Sequence, residues 1–144
     1  MVTFNNNIAT KESLDSLEKV LKNDFELFVV VIDNFSKDKF AVEDEYKNFN
    51  IKILRSEDNL GFSGGQNLGI KHSLENNADF IIILNNDTLV HPDFINELLS
   101  SFDENIGIVS PKIYFAKGYE YNKDRFNEKD LGRVIWYAGG IIDW

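Results

Sequence analysis

The chain has 144 residues, 43% of them hydrophobic and 27% charged, which is enough for one ordered domain with a sizeable core. The lack of cysteine excludes disulfides, thiolate nucleophiles and cysteine-ligated metal. A formal net charge of -9 disfavours non-specific binding to nucleic acid or to anionic lipid. No apolar run reaches the roughly 20 residues of a membrane-spanning helix, so we expect a cytoplasmic chain without a membrane segment, and peripheral contact with the inner face of the membrane stays open.

The first half of the chain alternates short apolar runs with amphipathic stretches. Met1 to Phe4 is typical of the end of a strand, and a helix is predicted behind Thr10, its expected N-cap, with Leu14, Leu17, Val20 and Leu21 at helical spacing. Strands are predicted at residues 28–32 and 51–54, and a weaker helix at 39–46.

The second half repeats the alternation. A helix through Leu68, His72 and Leu74 should end at Asn76 and Asn77, and Pro92 should open another. Strands are predicted at 80–84 and 106–109. Residues 116–133 are predicted to form a polar loop before an apolar run at 134–137.

This order predicts an α/β fold with a Rossmann-like, mostly parallel sheet flanked by helices, in a single domain over residues 1–144. Residues 28–32 and 80–84 are apolar at every position, so both are expected in the middle of the sheet.

Polar residues follow three of the predicted strands, at residues 33–36, 59–67 and 85–88. Ligands of parallel α/β sheets bind beyond the carboxyl ends of the strands, so these segments are expected on one rim. Asp87 could hold Mg²⁺ or Mn²⁺ together with substrate phosphate and water, or it could begin a turn or cap the next helix. Asp33 could accept hydrogen bonds from a ribose or a base, or form a turn after its strand. The glycine-rich segment with Gly64 and Gly65 allows close ligand approach or tight packing and lacks a Walker A lysine.

Six segments in order resemble the family 2 glycosyltransferases, especially a bacterial rhamnosyltransferase-like branch. They lie at residues 2–5, 30–34, 59–70, 84–88, 107–112 and 136–140, and so span nearly the whole chain. The sequence departs from the family pattern at two positions. Phe35 stands where glycine is usual, and Asn85 takes the first position of the Asp-x-Asp motif.

The resemblance implies the nucleotide-sugar-binding part of a GT-A fold, used in synthesis of cell-surface polysaccharide. It implies a nucleotide-diphospho-sugar donor, a divalent metal (Mg²⁺ or Mn²⁺) on Asp87, and a saccharide or lipid-linked acceptor attacked with inversion. Its implied donor-binding residues are Thr3, Asp33, Asn59, Gly65, Asn85, Asn86 and Asp87.

Met1 to Phe4 is expected to be the end of a strand whose start is absent, and the family's catalytic base lies downstream of the matched region. We therefore expect a partial domain that lacks the start of its first strand and the acceptor region. The catalytic residue is unassigned, and Asp143 or Glu120 would be the base only if this chain alone transferred sugar. A non-catalytic module that binds a nucleotide or a nucleotide sugar is the alternative. A signalling receiver domain is disfavoured because Thr3 to Asn6 lacks its acidic pair.

Overall fold

A computed structural model describes residues 1–42 and 46–139, with the side chain of residue 123 left out. The described residues fall into two compact units, Met1–Asn96 and the described part of Glu97–Trp144. The prediction of a single domain over residues 1–144 stays a prediction.

The first unit contains a parallel three-stranded sheet in the order β1-β2-β3, formed by Val2–Thr3, Phe28–Asp33 and Asn50–Arg55. All six residues of β2 pair with β3, from Phe28 beside Asn50 to Asp33 beside Arg55, whereas only Val2 and Thr3 pair on the other side. The expected central position of residues 28–32 is confirmed, because β2 has a neighbour on both edges and its last five residues are buried.

Helices α1 (Asn7–Leu17) and α2 (Gly61–Glu75) belong to this unit, and α3 (Phe94–Ser100) begins in it. The core lies against β2 and collects apolar side chains from α1, β2, α3 and connecting segments: Leu14, Leu17, Val20, Val29, Val30, Val31, Ile32, Phe40, Phe49 and Ile95. The α/β class with a mostly parallel sheet flanked by helices is therefore confirmed.

Several predicted helix bounds are corrected. Thr10 is not the N-cap, because α1 already begins at Asn7 behind Asn6, and it ends at Leu17 rather than continuing to Leu21. Helix α2 ends with Asn76 as its C-cap, as predicted. No helix forms at residues 39–42 or at 46, and the rest of the predicted 39–46 helix lies outside the described residues.

The strands predicted at 80–84 and 106–109 are absent from the described residues. Side chains of the 80–84 segment are exposed or half-buried, with Ile83 56% exposed. An apolar run indicates that a segment tends to be buried, but a strand also needs a neighbouring strand with unpaired backbone groups. The edge of β1 is only two residues long. The predicted central position of 80–84 is therefore wrong for the described structure.

The second unit contains a two-stranded antiparallel sheet, β4 (Ile113–Tyr114) with β5 (Ile135–Tyr137). Between them, the predicted polar loop contains two short 3-10 helices, Lys123–Arg125 and Glu128–Asp130. Glu120 is buried there, and its carboxylate accepts hydrogen bonds from the backbone N–H groups of Gly118 (2.8 Å) and Gly132.

The substitution Gly65→Ala tests how closely α2 packs on β1. A Cβ at this position would lie 2.9 Å from both γ carbons of Val2, and the other staggered rotamers of the branched valine would still leave one γ carbon at a close position. Gly65→Ala is therefore expected to lower the free energy of unfolding by about 1–3 kcal/mol, measured by urea denaturation.

Gly69→Ala is the matched control in the same helix. Its Cβ would meet Ile32 at 3.5 Å, an ordinary contact, so alanine should be neutral or stabilise by about 0.5–1 kcal/mol through helix propensity. Equal destabilisation by both substitutions would contradict close packing at Gly65.

Candidate functional site

An open cavity of about 350 Å³ lies in the first unit beyond the carboxyl ends of β1 and β2 and beside the start of α2. Among the described residues, its lining combines apolar groups with four asparagines and has no charged side chain: Val2, Phe4, Asn6, Asn34, Asn59, Gly61, Phe62 and Asn86. Two of the predicted site residues, Asn59 and Asn86, are brought together here although 27 positions separate them in the sequence. The cavity lies where ligands of parallel α/β folds bind.

The side chain of Asn34 holds one wall of this cavity. Its amide nitrogen donates to Asn59 Oδ1 (2.9 Å) and to the Gly61 carbonyl (3.1 Å), and its oxygen accepts from the Leu60 N–H (2.9 Å) and the Ser56 hydroxyl (3.3 Å). Since Asn34 is buried, these four bonds fasten the end of β2 to the segment that leads into α2. Sequence reasoning did not select Asn34 as a site residue, although it follows Asp33 in one of the segments of the family resemblance.

Asp33 is 1% exposed at the end of β2. One carboxylate oxygen accepts from the Ser36 N–H (2.9 Å), and the other accepts from the Phe40 N–H (3.1 Å) and forms an ion pair with Arg55. Burial alone would raise the pKa of Asp33, but these hydrogen bonds outweigh it and hold the pKa below its usual 3.8. The geometry matches the turn-forming role that the sequence left open, and contact with a nucleoside stays a prediction.

Phe35 adopts the left-handed backbone conformation that a glycine would take at the same place, with a φ of 68°. The turn therefore forms although a phenylalanine stands where the family usually has glycine. Arg55 steadies this turn, because its guanidinium donates to the Ser36 carbonyl (2.9 Å) and lies 5.7 Å from the centre of the Phe35 ring. Arg55 was missed from the sequence, where its only signal is that it directly follows the apolar run at 51–54.

Thr3 lies behind the cavity rather than in its lining. Its side chain is fully buried, and its hydroxyl oxygen lies 2.8 Å from the hydroxyl oxygen of Thr10 on α1. Thr10 is in turn 2.9 Å from the amide nitrogen of Asn86. Thr3 is thus linked to the cavity through Thr10, which the sequence had suggested only as a helix cap.

Asn85 and Asp87 flank Asn86 in a turn closed by a hydrogen bond from the Thr88 N–H to the Asn85 carbonyl (3.3 Å). Both side chains are exposed, and neither lines the cavity. Within residues 1–42 and 46–139, no group of three or more histidines or acidic residues is placed to hold a metal ion. Gly65, the remaining predicted site residue, is buried against Val2.

Comparison with known proteins identifies the class. Residues 1–139 match the sequence model of Glycosyl transferase family 2, and the chain belongs to this family. The family predicted from the six segments is therefore confirmed.

Two curated relatives give more detail. The chain is 32% identical over 108 residues to the low-salt glycan biosynthesis hexosyltransferase Agl10 of Haloferax volcanii, covering 74% of this chain and 34% of the relative. It is 31% identical over 113 residues to the dTDP-rhamnosyl transferase RfbF of Shigella flexneri, covering 77% of this chain and 36% of the relative. The chain therefore spans about a third of the length of these relatives.

A solved structure has the same fold. The crystal structure of S. aureus TarS 1-349 superposes with a TM-score of 0.59 at 25% identity, over 69% of this chain and 29% of that chain. This likeness supports the GT-A type of α/β fold. Among the described residues, no helix is both long and apolar enough to cross a membrane.

Asn34→Asp tests whether the amide of Asn34 holds the cavity wall. A carboxylate cannot donate, so it would face two acceptors, Asn59 Oδ1 and the Gly61 carbonyl, and the buried side chain would lose both donated bonds at a total cost of about 1–3 kcal/mol. We expect a clear fall in the urea midpoint at pH 7.

Asn59→Asp is the control for that substitution. The Oδ1 of Asn59 accepts from Asn34 and from the Gly61 N–H, and an aspartate keeps both acceptor roles on an exposed side chain. Destabilisation by Asn59→Asp as large as that by Asn34→Asp would argue against the donor role of Asn34.

The ion pair of Asp33 predicts a specific pH dependence. Because the pKa of Asp33 is lower in the folded state than its usual 3.8, its stabilisation is complete above that value and is lost as the pH falls through the folded pKa. Asp33→Asn should lower the free energy of unfolding at pH 7 and flatten its decline below pH 3.8.

Denaturant unfolding at a series of pH values measures this effect. Asp24→Asn, at an exposed aspartate, serves as the control and should leave the acid limb as in the parent chain. An acid limb that is equally steep in the parent and in Asp33→Asn would rule out the buried ion pair as its source.

Proposed function

We propose that this chain is the donor-binding part of a glycosyltransferase that takes a nucleotide-diphospho-sugar and transfers its sugar, with inversion, to an acceptor hydroxyl. The observation that carries the proposal is the asparagine-lined cavity at the strand ends of a family 2 chain. Amide side chains both donate and accept hydrogen bonds, which suits the hydroxyls of a ribose or a sugar. A cavity of about 350 Å³ is within the usual range for small-molecule sites.

The relatives support a six-carbon sugar. One is named as a hexosyltransferase and the other as a dTDP-rhamnosyl transferase, and rhamnose is a deoxyhexose. The donor class we propose is therefore a nucleoside diphosphate linked to a hexose or deoxyhexose. A saccharide, free or carried on a lipid, is the proposed acceptor.

Charge is the main obstacle to binding such a donor. The chain carries a net charge of -9, and the part of the cavity lining that the structure describes has no cationic side chain to compensate a diphosphate. A divalent cation, Mg²⁺ or Mn²⁺, would supply that compensation and would stabilise negative charge on the departing diphosphate. Asp87 fits as its protein ligand, because its exposed carboxylate follows Asn86 directly and such ions need only one or two protein carboxylates when substrate phosphates supply the rest.

The chain's own residues have narrower roles in this proposal. Asn59 and Asn86 would bind donor hydroxyls, whereas Asp33 and Arg55 hold the turn after β2 in place. Thr3 supports Asn86 from behind, and Gly65 keeps α2 close to β1.

The general base is left unassigned. Glu120 is disfavoured because its buried carboxylate is occupied by two backbone N–H groups, and Asp143 lies outside the described residues.

Metal-dependent nucleotide binding tests the proposal. Isothermal titration of the chain with UDP and with dTDP should give an affinity that rises at least about tenfold, or 1.4 kcal/mol, when Mn²⁺ is added. Asp87→Asn should remove most of this rise, because a neutral amide oxygen is a poorer ligand for a hard divalent cation.

Asp79→Asn, at another exposed aspartate, controls for the loss of one negative charge and should keep the metal dependence. Equal metal dependence in the parent and in Asp87→Asn would overturn the role of Asp87. Failure of the parent to bind any pyrimidine or purine nucleoside diphosphate, with or without Mn²⁺, would overturn the proposed function itself.

A further inference from the structure

The hydroxyl of Thr10 is the meeting point of three chain segments behind the cavity. Thr10 is fully buried, and its oxygen lies 2.7 Å from the Asn6 carbonyl, 2.8 Å from the Thr3 hydroxyl and 2.9 Å from the amide nitrogen of Asn86. The last contact joins residues 76 positions apart. Sequence reasoning and the proposed function give Thr10 no part in ligand binding.

The proton count at Thr10 determines which way the amide of Asn86 points. A hydroxyl has one proton, and the Asn6 carbonyl at 2.7 Å can only accept, so this contact takes the proton of Thr10. The hydroxyl of Thr3 can itself donate and makes the 2.8 Å contact with its own proton, so the oxygen of Thr10 has only lone pairs left for Asn86. The side chain of Asn86 must therefore present its NH₂ group to Thr10.

The opposite orientation of this amide is unfavourable. Turning the side chain over would bring Asn86 Oδ1 against the lone pairs of Thr10, placing two acceptors together at 2.9 Å and removing a hydrogen bond from a buried hydroxyl. In the favoured orientation, Oδ1 is the remaining polar atom of the side chain, and it accepts no hydrogen bond from the described residues.

We propose that Thr10 is a positioning residue that makes Asn86 a hydrogen-bond acceptor for a hydroxyl of the bound nucleotide sugar. The inference rests on the proposed function, because it takes the asparagine-lined cavity as the donor site. An aspartate at position 86 would need no such partner, since both of its oxygens accept. An asparagine has two different ends, and Thr10 selects the one offered to the ligand.

A double-mutant cycle tests this role. The chain and the variants Thr10→Val, Asn86→Ala and the double substitution are titrated with UDP and dTDP in the presence of Mn²⁺. Valine keeps the shape of threonine without its hydroxyl, so Thr10→Val should weaken binding about tenfold by releasing the amide, and Asn86→Ala by a similar factor. The double variant should bind no more weakly than Asn86→Ala alone.

Thr10→Ser separates this role from a general effect on folding. Serine restores the hydroxyl and should restore parent affinity, although it leaves a gap where the methyl group was. Thermal unfolding of each variant sets a titration temperature at which all are folded. Multiplied losses in the double variant, or unchanged affinity in Thr10→Val, would overturn the proposal.

A second measurement does not depend on any ligand. In ¹⁵N spectra, the side-chain NH₂ of Asn86 should exchange slowly with solvent in the parent and in Thr10→Ser, and rapidly in Thr10→Val. If the parent binds no pyrimidine or purine nucleoside diphosphate, the proposed function fails and this signal alone decides the geometry. An Asn86 amide that exchanges rapidly in the parent would overturn the assigned orientation.

Discussion

The side-chain amide of Asn34 uses all of its hydrogen-bonding capacity inside the protein, and the rim of the sheet depends on it. Two donated and two accepted bonds connect the end of β2 with Ser56, Asn59, Leu60 and Gly61. Backbone groups leaving a strand and entering a helix lack regular partners, and a buried side chain with both donors and acceptors can satisfy them where a charged or apolar one cannot. The wall of the cavity and the start of α2 are consequently held by the same residue.

At this rim the charged side chains stabilise the fold, and neutral side chains line the cavity. The ionised groups, Asp33 and Arg55, bind each other and the turn at residues 33–36, so their charges hold the scaffold together. These contacts stabilise Phe35 in the left-handed backbone conformation, which costs a non-glycine residue about 1–2 kcal/mol. The cavity beside them is lined by neutral amides, which suits hydroxyl groups and leaves an anionic ligand dependent on a cation from outside the lining.

The sequence predicted those features that depend on local pattern. Residues 28–32 were placed correctly because unbroken apolar character and neighbouring turn residues agree, and Asn76 ended α2 as expected. The same apolar pattern at 80–84 led to a wrong strand prediction, because strand pairing also depends on a free sheet edge, which the sequence pattern does not indicate. Thr10 was mistaken for a cap because Asn6 and Thr10 are both good capping residues, and only the three-dimensional structure shows which one precedes the helix. Asn59 and Asn86 were selected through the family resemblance and lie in segments after predicted strands, whereas Asn34 and Arg55 act through contacts across the chain.

The use of asparagine rather than aspartate at position 86 has an electrostatic consequence. A carboxylate at position 86 would add another negative charge beside Asp87, in a chain already at -9, and would oppose a diphosphate. An amide oxygen accepts a hydrogen bond without that penalty, but an amide must be held in one orientation to act as an acceptor. The buried hydroxyls of Thr10 and Thr3 and the carbonyl of Asn6 provide a fixed sequence of donors and acceptors that does so. The neutral amides that line the cavity therefore depend on the polar network behind it, which orients the amide of Asn86. Asp87 is the acidic side chain of the Asn85–Thr88 turn.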